Sequence, residues 1–138
     1  MMKVLAKSGD FFVGEQNMDP FGGERWSSGR QLLGKTDALG YSVEIEWPAP
    51  DAAPRKLVLH ATQAPGYAML RFRVNGHLVA ATLDGYTPAV QPAPAFVLGA
   101  FAPRDSKFAL RVEVAGANPA AKGAKYFFGL ASVTLERP

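Results

Sequence analysis

The sequence contains no cysteine. Disulfides and thiolate chemistry are therefore excluded, and the redox compartment is left open. No apolar run approaches the roughly 20 residues of a membrane-spanning helix. Basic residues form no run either. The 15 Lys and Arg are scattered along a chain of net charge +3, whereas a nucleic-acid interface gathers them on one face or helix. Neither a membrane nor a nucleic acid is expected as a partner. No apolar pattern at helical spacing is sustained. Catalytic signatures are equally scarce: there is no Gly-x-Ser-x-Gly elbow, no P-loop and no Gly-x-Gly-x-x-Gly. His60 and His77 fall on different segments and read as solvated or locally hydrogen-bonded side chains, not metal ligands. Glu44 and Glu46, two apart on one strand face, have the spacing of an acid–base pair, but their flanks are ordinary strand and they read as a solvated face. The start, Met1-Met2-Lys3-Val4, lacks a signal-peptide pattern.

What is present is alternation. The 138 residues are 48% hydrophobic, with 14 Gly and 11 Pro set between apolar runs as turn punctuation. Such a chain suits a single domain over residues 1–138. In Ser42–Trp47, the side chains of Val43, Ile45 and Trp47 share one face, the period of a half-buried strand. In 55–62, Leu57, Leu59 and Ala61 alternate with Lys56, Val58, His60 and Thr62. Segments 69–74 and 77–83 flank Asn75-Gly76, the residues that a tight hairpin turn favours because both tolerate positive φ. Pairing across it places Leu70, Phe72, Val79 and Ala81 together. Residues 85–94 read as a proline-rich loop, 96–98 as a short strand and 108–114 as a long one. A loop over 116–125 follows, then a last strand over 126–136 with a bulge near Phe127-Phe128-Gly129. Short strands are also expected at 3–7 and 30–33. No helix is expected. Eight or nine short strands predict an all-β antiparallel sandwich, closed as a jelly roll to limit unpaired edges.

The loops hold the residues suited to recognition. Flat aromatic rings stack on the apolar faces of pyranoses, while amides, carboxylates and guanidinium groups hydrogen-bond hydroxyls. Arg25 and Trp26 fall in the N-terminal loop with Gln31 close behind. Tyr67 follows the Pro65-Gly66 turn, Asp84 and Tyr86 open the proline-rich loop, and Asn118 lies in the last long loop. Each also has a structural reading. Trp26 plugs one end of the sandwich, Tyr67 and Tyr86 anchor their loops, and Asp84 and Asn118 initiate turns.

Several segments, in order, resemble one family. These are Gln16-Asn17-Met18, Phe21-Gly22 and 25–32; 57–67 with its Ala64-Pro65-Gly66-Tyr67; Phe72-Arg73-Val74-Asn75-Gly76; Leu83-Asp84-Gly85-Tyr86-Thr87-Pro88; and 110–114, Gly116-Ala117-Asn118-Pro119 and Tyr126-Phe127-Phe128-Gly129-Leu130. They resemble the galactose-binding-like jelly-roll accessory domains, of carbohydrate-binding-module type, that are appended to bacterial carbohydrate-active or secreted proteins. The resemblance implies a non-catalytic module that binds a poly- or oligosaccharide, with no cofactor, lying outside the cytoplasm as part of a larger extracellular or periplasmic protein. Arg25, Trp26, Gln31, Tyr67, Asp84, Tyr86 and Asn118, the loop residues picked out above, are the candidate ligand-binding residues of such a module. Related modules often hold a structural calcium between an N-terminal acidic residue and an Asp in the last strand. Here that last-strand region reads Gly129-Leu130-Ala131-Ser132, and Glu15 with carbonyls alone makes a poor site. Two other readings compete. One is a structural domain packed on a catalytic partner or forming homo-oligomers, to which Val58 on a polar face points. The other is a small jelly-roll hydrolase or lyase.

Overall fold

A computed structural model describes residues 3–26 and 29–138. Met1 and Met2 of the opening segment, and Ser27-Ser28 of the resembling N-terminal stretch, lie outside the described residues. Alternating side chains build two antiparallel sheets that pack face to face. The first joins β1 (Lys3–Ser8), β4 (Ser42–Pro48), β11 (Lys107–Gly116), β6 (Met69–Val74) and β7 (His77–Leu78), with β8 (Leu83–Asp84) also paired to β6. The second joins β10 (Phe96–Phe101), β5 (Arg55–Gln63), β12 (Phe128–Glu136), β3 (Arg30–Lys35) and β2 (Phe12–Asn17), with β9 (Gln91–Pro92) paired to β5. Apart from the β2–β3 and β6–β7 pairs and the short β8, the neighbours within each sheet are distant in sequence, the crossover pattern of a jelly roll.

The core lies between the two inner faces. Val43 and Ile45 of β4, Phe72 and Val74 of β6, and Phe108, Leu110 and Val112 of β11 are fully buried. They pack with Leu57 and Leu59 of β5 and with Phe128 and Leu130 of β12. Each large apolar side chain so buried contributes roughly 1.5–3 kcal/mol. Trp47 continues the inner face of β4 and stacks beside Phe108.

Asn75 and Gly76 both take positive φ, 47° and 84°, as the hairpin requires. The strand after them is shorter than its alternation implied. It ends at Leu78, Val79 donates its N–H to Phe72 O, and Ala81 is exposed rather than aligned with Leu70 and Phe72. Residues 80–82 offer no large apolar side chain to bury, so the chain swings out and rejoins β6 only where Leu83 faces Leu70. The last strand's irregularity lies between Leu130 and Ser132, not at 127–129. Strand β2 breaks alternation with Gly14 and polar neighbours, and its periodicity gave no sign of it. In place of an all-strand chain the described residues include two single turns of 3-10 helix, at Asp19–Phe21 and Gly23–Arg25.

Candidate functional site

Strands β2 and β3 pair in register from Phe12–Lys35 to Asn17–Arg30. The segment between them folds back on itself, with Met18 N–H donating to Gly29 O over 2.8 Å. It lies over the outer face of the second sheet and carries Trp26 there. The Trp26 indole N–H donates to Thr62 Oγ1 over 2.8 Å. The Thr62 hydroxyl donates to Gln31 Oε1. The Gln31 amide donates to Gln16 Oε1 over 2.7 Å and to the Tyr67 hydroxyl over 2.9 Å. Gln31 thus spends both amide hydrogens and its carbonyl inside the protein, the full satisfaction that a buried polar group requires. Gly129 lies beneath it, where an added Cβ would fall 2.1 Å from Gln31 Oε1.

Trp26, Tyr67 and Gln31 are 4%, 8% and 2% exposed. This corrects the expectation that they contact ligand, because a covered ring has no face on which a sugar can stack. Trp26 is a plug and Tyr67 a loop anchor, packed with Leu33, Ala64, Val90 and Phe127 in a small apolar cluster outside the main core. Thr62 and Gln16 complete the network and were not singled out in the sequence. They look like ordinary polar strand residues until the loop covers them.

Burial raises the Tyr67 hydroxyl above its ordinary 10.0, against the opposing pull of the Gln31 hydrogen bond. The native state therefore holds this proton after the unfolded chain has released it. The stability it contributes is complete below the unfolded value and is lost as pH climbs through the folded one. Tyr67→Phe is expected to remove that alkaline loss, leaving a flatter urea-midpoint profile above pH 10.0 than wild type. At neutral pH it should cost about 1 kcal/mol, because Gln31 loses an acceptor.

The other four candidates converge on the loop that begins at Asp84. Asp84 Oδ1 accepts the Tyr86 N–H at 3.0 Å, and Oδ2 accepts the Asn118 amide at 2.7 Å. Asn118 Oδ1 in turn accepts the Ala120 N–H at 2.9 Å. Both residues therefore start turns, as their neighbours Gly85 and Pro119 suggest, and they also tie two loops together. Gln63 adds a third tie by donating to Asp84 O at 3.0 Å. Arg25 reaches the far side of the same loop. Its guanidinium sits 5.1 Å from the Trp26 ring and donates to Phe21 O and Val90 O at 2.6 and 3.2 Å. Backbone bonds fix the platform: Ala64 N–H to Gly85 O at 2.9 Å, Gly85 N–H to Ala68 O at 2.9 Å and Lys122 N–H to Pro65 O at 2.8 Å. Only glycine fits at position 85, since a Cβ would lie 2.5 Å from Ala68 O. Tyr86 stays half-buried and Arg25 exposed.

Among the described residues no three His, Asp or Glu side chains gather as a metal would require. Glu15 is ion-paired to Arg30 at 2.7 Å, and Gly129 is covered by Gln31. These residues do not fit the calcium site that the sequence resemblance raises. Glu46 is paired with Lys107 at 3.3 Å, and His60 Nε2 lies 3.3 Å from Thr134 Oγ1.

No protein-family model matches this sequence, and no curated protein matches it. Solved structures do. A xanthan lyase from Paenibacillus superimposes with a TM-score of 0.81 at 15% identity, covering 99% of this chain and 12% of the lyase chain. The CBM36-1 domain of a multidomain xylanase from the hindgut metagenome of Trinervitermes trinervoides gives 0.56 at 10% identity, covering 100% of this chain and 97% of that one. The insecticidal crystal protein Cry2Aa gives 0.53 at 12% identity over 78% of this chain and 17% of its own. At such identities what is shared is the fold. It is a two-sheet antiparallel jelly roll, the architecture that the sequence predicted, and it is shared by a xylanase's CBM36-1 domain, by part of a lyase and by part of an insecticidal protein.

Proposed function

We propose that this domain is a non-catalytic module that binds a poly- or oligosaccharide on the loop surface of Arg25, Asp84, Tyr86 and Asn118. One observation carries the reading. A partly open aromatic ring is held on a cross-tied loop whose ties are a carboxylate, an amide and a guanidinium, the groups that stack on and hydrogen-bond a sugar. Rigidity matters, because a preformed site loses less entropy on binding. The fold shared with a xylanase's CBM36-1 domain supports it. The paired state of Glu46 and the structural employment of Asp84 favour binding over acid–base catalysis. A single shallow site of this kind gains strength by avidity when linked to other modules.

The test is a glycan array followed by calorimetric titration. Wild type is expected to retain at least one glycan class, and Tyr86→Ala to weaken it about tenfold, the loss of roughly 1.4 kcal/mol of stacking. Wild-type protein that retains no glycan overturns the proposal. A second reading, a domain packed on a catalytic partner, draws on the match to 12% of a much longer lyase chain and on exposed Val97; Val58, its register partner, is itself buried and offers no such contact face.

A further inference from the structure

Phe12 and Phe21 are the exposed rings among the described residues, and Phe12, at 54%, is the more open. It faces outward at the start of β2. Gly14, two residues along, shares that face, and a Cβ there would fall 2.5 Å from Phe12 Cζ. The ring therefore occupies the space that the glycine leaves and lies along the sheet instead of projecting from it. Lys35, its register partner, places Nζ 5.5 Å from the ring centroid. Nothing in the core uses this ring, and a bare phenyl group on an edge strand invites association.

The position of Phe12 relative to the loop surface gives the ring a use. Gly34 pairs with Phe128 at the end of the β12–β3 ladder, so Lys35 and Phe127, the next residue of each segment, come side by side just beyond it, where the Thr36 hydroxyl also donates to Tyr126 O. Phe127 bridges to Tyr67, and Ala64, which accepts the Tyr67 N–H, bridges to Tyr86. Phe12, Lys35, Phe127 and Tyr67 thus form one row across the sheet, at the edge where the Tyr86 loop begins. Three strand spacings put Phe12 about 15 Å from Tyr67.

We propose that Phe12 and Lys35 form a second contact for the same glycan. One pyranose lies on the Phe12 ring, Lys35 donates to its hydroxyls, and the chain crosses β12 and β3 between there and Tyr86. The inference rests on the Tyr86 surface being a sugar site, and it makes affinity depend on chain length. A disaccharide reaches one contact; a longer chain reaches both, the second at the cost of little additional rigid-body entropy.

The experiment is an array of xylo-, cello- and galacto-oligosaccharides of graded length, probed with wild type, Tyr86→Ala, Phe12→Ala, Phe12→Trp and Gly14→Val, each checked for fold by circular dichroism. Phe12→Ala is expected to weaken long chains about tenfold while leaving disaccharides unchanged, and Phe12→Trp to retain long-chain binding. Gly14→Val, which lifts the ring off the sheet, should behave as Phe12→Ala does. Long-chain binding that is lost in Tyr86→Ala but intact in Phe12→Ala overturns this inference and spares the loop site. Wild type that binds no chain of any length overturns both.

Discussion

Trp26→Ala is expected to destabilise the domain by about 3–5 kcal/mol, the cost of emptying a large buried site, read as a lowered urea midpoint. The size follows from position. The indole is 4% exposed, lies over the outer face of the second sheet and satisfies Thr62 Oγ1. Its removal deletes that packing and opens the Thr62–Gln31–Tyr67 network to water. Arg25 rests on the same ring, so glycan binding should weaken together with stability. Trp26→Phe retains most of the packing but not the donor, and should cost only about 1 kcal/mol for the lost hydrogen bond. A Trp26→Ala protein as stable as wild type would mean that the N-terminal loop does not cover the sheet.

Gly34→Ala is expected to cost about 3 kcal/mol, at the upper end of overpacking. Gly34 faces inward from β3, and a Cβ there would stand 2.3 Å from Phe128 Cζ and 2.4 Å from Cε1. Phe128 is fully buried and edge-on to Phe11 at 6.4 Å, so its ring has nowhere to retreat. Shortening that ring in the double variant Gly34→Ala/Phe128→Leu should restore part of the loss. A double-mutant cycle in denaturant measures this as a coupling between the two sites. Independent, additive effects would show that the glycine and the ring do not share this space.

Local periodicity carried most of the fold. Val43, Ile45 and Trp47, or Phe108, Leu110 and Val112, state their facing by themselves because a pleated strand alternates with a period of two. Asn75-Gly76 states its turn because few residues tolerate positive φ. β2 was not legible, since Gly14 stands where an outward side chain would mark the alternation, and what fills that place is a ring from two residues earlier.

The candidate site divides along the same line. Aromatic and polar residues in the loops around Trp26, Tyr67, Tyr86 and Asp84 could be read from the chain, and so could the turn-forming roles of Asp84 and Asn118. Which rings remain open to solvent could not. Burial of Trp26 and Tyr67 depends on a loop folding over a sheet face and on hydrogen bonds between residues as far apart as Gln31, Thr62 and Tyr67. By itself the sequence determined most of the strands, the inward faces of the long ones and the two-layered class, because those follow from interactions between near neighbours along the chain. Only the tertiary structure decided that Trp26 is a plug and Phe12 an exposed platform, because exposure belongs to what the rest of the molecule places above a residue.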